Sequence, residues 1–148
     1  MNELRELYRE VILDHNRNPR NFGELADADR VVEGVNPLCG DKLTLYVKLV
    51  AGKIEDISFK GTGCAISVAS SSLMTERVKG RSIADSLHLY EQIHDMLTGA
   101  STPSAEELDK LVALAGVREF PTRVKCASLG WHALHSALGG AGERVSTE

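Results

Sequence analysis

Leu4, Leu7, Tyr8, Val11 and Ile12 recur at the i, i+3, i+4, i+7 spacing of an amphipathic helix. That helix should end near Asp14 to Asn16. Asn18-Pro19-Arg20-Asn21 and Gly23 are turn-forming, and a residue before proline avoids the α region. The period then falls to two. Val31-Val32, Leu43 to Val50 and Ile54 to Lys60 read as three strands. Leu43, Leu45, Val47 and Leu49 alternate with Thr44, Tyr46 and Lys48, so one face should be buried. Ala51-Gly52 marks a tight hairpin between the second and third strands.

After Gly61-Thr62-Gly63 the spacing returns to 3.6. Ile66, Ala69, Ser70, Leu73 and Arg77 share one side of a helix that should stop at Gly80. Ser82 with Asp85 forms a capping signal for a second helix carrying Ile83, Leu87, Tyr90 and Leu97, stopped by Gly99. Ser104 with Glu107 repeats the signal ahead of Leu108, Leu111, Val112 and Ala115. Leu129, Leu134 and Leu138 stripe a last helix from about Cys126 to Gly139-Gly140. Strands grouped together and helices grouped together predict an α+β fold, a three-stranded antiparallel sheet covered by helices. One domain over residues 1–148 suits this length, with 143–148 expected to fray.

Composition narrows the function. A chain that is 43% hydrophobic can bury a core, and a net charge of −4 without a basic run lacks the electrostatic footprint for nucleic acid. Proteins or small ions are the expected partners. Met1 to Glu10 has no apolar signal core. The charge-free stretch from Cys126 to Gly142 is too short and too polar to span a bilayer. A soluble, cytoplasmic protein is expected, with neither nucleic acid nor membrane among its partners.

The three cysteines cannot form a complete set of intrachain disulfides. In a reducing compartment such residues serve more often as ligands or nucleophiles. Each falls at a predicted junction: Cys39 in the turn Asn36-Pro37-Leu38-Cys39-Gly40-Asp41, Cys64 after Gly-Thr-Gly at a helix start, Cys126 at the start of the last helix. A helix N-terminus favours the thiolate, which would act on Cys64 and Cys126, with Lys125 adding a cation. Cys39 and Asp41 lie two apart and would point the same way in an extended segment. Three sulfur donors and one carboxylate would suit zinc, or an iron–sulfur cluster with one weakly held corner. The plainer reading, three separately buried thiols, stands beside it at this point.

These motifs resemble the IscU/NifU family of iron–sulfur cluster assembly scaffolds, most closely its SufU branch. The resemblance covers nearly the whole chain. It runs through Tyr8, Asp14-His15, Asn18-Pro19-Arg20-Asn21, Asn36 to Asp41, Gly61 to Ser67 and Arg123-Val124-Lys125-Cys126-Ala127. It implies that Cys39, Asp41, Cys64 and Cys126 are the ligands of zinc or a transient iron–sulfur cluster. It further implies a cysteine desulfurase as sulfur donor, Cys39 as acceptor, and downstream assembly or recipient proteins. Lys125 stands where the scaffold branch has histidine, and Phe120-Pro121-Thr122-Arg123-Val124-Lys125 replaces its Leu-Pro-Pro-Val-Lys chaperone motif. A helical insertion at about 82–116 is also SufU-like. The resemblance thus implies a zinc-dependent sulfur acceptor rather than a stand-alone enzyme. A structural zinc module and a Cys-nucleophile transferase are the alternatives. His15 could belong to a desulfurase docking surface or simply close the first helix. His88, His94, His132 and His135 lack ligand spacing to any cysteine and read as surface or half-buried residues.

Overall fold

The computed structural model describes residues 2–37, 39–99, 108–118, 120–139 and 144–146. Helix α1 spans Asn2–Arg17. Strands β1 (Arg30–Asn36), β2 (Asp41–Val50) and β3 (Lys53–Thr62) follow, then helices α2 (Ala65–Val78) and α3 (Ile83–Thr98). A 3-10 helix covers Asp109–Val117, α4 spans Pro121–Gly139, and a short β4 covers Arg144–Ser146.

The three expected strands pair antiparallel in the order β3-β2-β1, and β4 adds a parallel edge beside β1. Val50 pairs with Lys53, so Ala51-Gly52 is a two-residue turn. Both turn residues have positive φ, 51° and 77°, the type I′ combination that matches strand twist. Leu43, Leu45 and Val47 turn to the helices and are buried. Helix α2 packs on β3, α4 on β1 and β2, α1 on α2, and α3 on α4, while the 3-10 helix touches α1 and α3. Trp131, Phe59, Met74, Ile93 and Leu114 fill the space between.

Several elements depart from the sequence pattern. Helix α2 is buried on nearly every side, including Ser70, Ser71, Ser72 and Thr75. Small hydroxyl residues let it be central: Ser70 donates to the Ala127 carbonyl at 2.6 Å and accepts from Trp131 Nε1 at 3.2 Å. Gly130 of α4 lies so close that a Cβ there would collide with Ser71 Oγ. Leu111 to Ala115 adopt the tighter 3-10 form rather than an α-helix. Their capping signal, Ser104 with Glu107, lies outside the described residues. Helix α4 begins at Pro121, not Cys126. Proline at the first helical position lacks only an amide that would have no partner there. Residues 144–146, within the stretch expected to fray, pair with β1. Among the described residues no helix is long and apolar enough to cross a membrane.

Candidate metal centre

The centre forms where β1, β2, α2 and α4 meet. Asn36 ends β1 and Asp41 begins β2, and the two are cross-strand partners. Between them Pro37, Cys39 and Gly40 lie in a turn. The Asn36 carbonyl accepts from the Cys39 N–H at 3.3 Å and the Gly40 N–H at 2.9 Å. Gly40 has φ +73°, a left-handed conformation that glycine adopts without cost. Cys39 therefore sits exposed on the turn, and its approach to Asp41 comes from the turn rather than from strand alternation.

Asp41 is 1% exposed. Its Oδ1 accepts from the Cys64 N–H at 2.8 Å and its Oδ2 from Asn36 Nδ2 at 3.2 Å. Cys64 caps α2, its sulfur accepting from the Ser67 N–H at 3.5 Å. The Cys64 thiol also reaches Asp41 Oδ2 at 4.0 Å. Gly63 makes this approach feasible, because a Cβ at that position would collide with Asp41 Oδ1.

Cys126 approaches from α4. It is buried, with its sulfur 3.5 Å from that of Cys39 and 3.4 Å from Asn36 Nδ2. The sequence placed it at a helix N-terminus with a lowered pKa. The structure corrects this: α4 starts five positions earlier, and burial pushes the Cys126 thiol up, reinforced by its bonds with Asp41, Cys39 and Cys64. A cation among these groups would reverse that direction, since a coordinated thiol is deprotonated.

One donor atom from each of Cys39, Asp41 and Cys126 lies within 4.8 Å of the others, a group that could hold a metal ion. Cys64 borders this group through Asp41. Two sulfurs and a carboxylate converging in a mostly buried place is a set that, once ionised, needs a cation among them. The donors therefore fit a zinc-type ion, on chemistry and proximity alike.

Asn36, fully buried, was quoted in the sequence only as part of a motif, yet it touches two of the donors. A polar residue ahead of proline at a strand end was the available signal. The histidines go elsewhere. Among the described residues the donor group contains none. His15 is 0% exposed, so it does not belong to a docking surface as a free side chain. Its Nδ1 bonds Ser72 Oγ at 2.7 Å, and burial, aided by Arg20, pulls its pKa down. His94, His132 and His135 gather around the Tyr90 ring, with Tyr90 bonded to His132 at 3.1 Å.

Residues 7–127 match the model of the NifU-like N terminal domain. The chain is similar to the zinc-dependent sulfurtransferase SufU of Bacillus subtilis, with 44% identity over 91% of this chain and 91% of that protein. It is equally similar, at 44% identity over 93% of this chain and 86% of the other, to the iron–sulfur cluster assembly scaffold protein IscU of Streptococcus pyogenes. The crystal structure of SufU from Fervidobacterium islandicum superposes with a TM-score of 0.83 at 34% identity, covering 90% of this chain and 97% of that one.

Proposed function

The chain belongs to the NifU-like N-terminal domain family, and from that premise we propose that it is a zinc-holding sulfur acceptor in iron–sulfur cluster assembly. Cys39, Asp41, Cys64 and Cys126 hold the ion, and Cys39 takes sulfur from a cysteine desulfurase. The observation that carries this reading is the convergence of Cys39, Asp41 and Cys126 within 4.8 Å, with Cys64 beside Asp41. The similarity to a protein named a zinc-dependent sulfurtransferase favours zinc as resident ion. When bound, zinc supplies positive charge that keeps the thiols as thiolates and shields them from oxidation.

Cys39 is the acceptor because it alone of the three cysteines is exposed, on a turn rather than a helix. Its thiolate attacks the outer sulfur of the donor's cysteine persulfide. A sulfur–sulfur bond forms at Cys39, the donor's sulfur–sulfur bond breaks, and the donor cysteine leaves as thiolate. The sulfur then passes to assembly or recipient proteins, and an iron–sulfur cluster would be cargo of the same donor set.

Incubation with a cysteine desulfurase and cysteine, followed by mass spectrometry, should place added sulfur on Cys39 and none on a Cys39→Ser protein. Added sulfur on Cys64 or Cys126 with Cys39 unmodified would refute the assignment. Metal analysis of anaerobically purified protein should find about one zinc per chain, by the ligand count of a tetrahedral site. Cys64→Ala should lose tight binding. Asp41→Cys should hold zinc more firmly, sulfur being the softer donor, and should transfer sulfur more slowly.

A further inference from the structure

We propose that Asn36 is the residue that positions the metal donors, and that it divides them into a fixed pair, Asp41 and Cys126, and a free member, Cys39. This rests on the reading of the site as a metal centre. Asn36 touches all three segments that bring the closest donors together. Its backbone carbonyl accepts from the Cys39 and Gly40 amides and so shapes the turn. Its side-chain Nδ2 donates to Asp41 Oδ2 at 3.2 Å and to Cys126 Sγ at 3.4 Å.

The chemistry of the neighbours dictates an asparagine. A carboxylate and a sulfur both need hydrogens, and the primary amide offers two on a single nitrogen. Aspartate at 36 would bring a second carboxylate against Asp41. Serine would offer one hydrogen for two acceptors, and leucine none. The side chain is fully buried, and among the described residues its Oδ1 has no hydrogen-bond partner. The amide is therefore oriented by its two acceptors, not by anything behind it. A buried carbonyl left unpaired is a cost, and here the two bonds on the nitrogen side offset it.

The same geometry separates the donors by freedom. Asp41 is held at both oxygens, by Asn36 and by the Cys64 amide. Cys126 is held by Asn36 and by the rigid helix around it. The Cys39 sulfur has no bond to the Asn36 side chain. It meets the Cys126 sulfur at 3.5 Å. Asn36 thus keeps two donors in place while Cys39 can turn outward.

The test uses the full chain as wild type, Asn36→Leu and Asn36→Ser. Zinc affinity is read by competition with a chromophoric chelator, and donor geometry by the visible d–d bands of the cobalt(II) form. Partners that orient metal ligands are worth about 10–100-fold in affinity. Asn36→Leu should weaken zinc by that factor and lose band intensity as the tetrahedral set opens, with Asn36→Ser falling between. Melting of the chelator-treated proteins separates folding from binding. If Asn36→Leu does not fold, the serine variant carries the comparison. Wild-type zinc binding with both variants within twofold of it, and unchanged cobalt spectra, would overturn the role of Asn36 and leave the metal centre standing. A wild-type chain that takes up neither ion would overturn both.

Discussion

At the scale of single residues, the centre depends on positions that offer no donor atom. Gly63 leaves no room for a side chain between itself and the Asp41 carboxylate. Gly63→Ala should displace Asp41 from the Cys64 amide and cost about 1–3 kcal/mol, the usual range for overpacking, measurable by urea denaturation of the metal-free protein. It should also weaken zinc binding. His15 makes a separate prediction, about pH. Its buried ring is neutral, and its pKa in the folded chain lies below the ordinary value. The stability it contributes is complete above the unfolded pKa of about 6.5. Below that it falls by up to about 1.4 kcal/mol per pH unit, until the folded ring is protonated too. Unfolding free energies compared at neutral and mildly acidic pH should therefore show a loss in the wild type that is smaller in His15→Gln. Equal losses in both would assign the acid sensitivity to other groups.

At the scale of elements, packing between α2 and α4 sets how far Cys126 can reach toward the sheet. Gly130 and Ser71 touch without a spare methyl between them. Gly130→Ala should push the helices apart and lower stability by roughly 1–3 kcal/mol. Ser71→Gly in the same chain should recover much of that loss in a double-mutant cycle. Simple additivity would mean that the contact is not the cause. The strands were legible because Leu43, Leu45 and Val47 alternate without interruption, and the Cys39 and Cys64 junctions because glycines flank them. The central burial of α2 was only partly legible: Ser70 fell on one side with Ile66, Ala69 and Leu73, whereas Ser71 and Ser72 lie off that side, and a hydroxyl that finds a carbonyl or an indole packs as a small group. The start of α4 was missed because Pro121 was weighed as part of a lost peptide motif rather than as a first helical residue. That moved Cys126 from a helix end into its interior. Asn36 escaped because its role exists only once β1 and β2 are paired.

For the molecule as a whole, a bound metal would add to a core whose buried side chains pack without it. Trp131, Phe59, Leu45 and their neighbours are buried independently of the donors. At zinc a hundredfold above Kd, binding adds about 2.7 kcal/mol. A chain of this size shifts by about 2–4 °C per kcal/mol. Chelation should therefore lower the melting temperature by roughly 5–11 °C and leave the far-ultraviolet circular dichroism of an α+β protein. A random-coil spectrum after chelation would show that the metal holds the fold together. The donor set also has a history in time. Cys39 and Cys126 are 87 residues apart, and at about 5–20 residues per second translation delivers them about 4–17 s apart. A nascent chain thus displays Cys39, Asp41 and Cys64 well before α4 exists to complete the set. Ions captured in that interval would meet an open, mismatched group of donors. The full donor set depends on the last helix docking, so a ribosome-stalled chain ending before Pro121 should hold zinc less tightly than the whole chain.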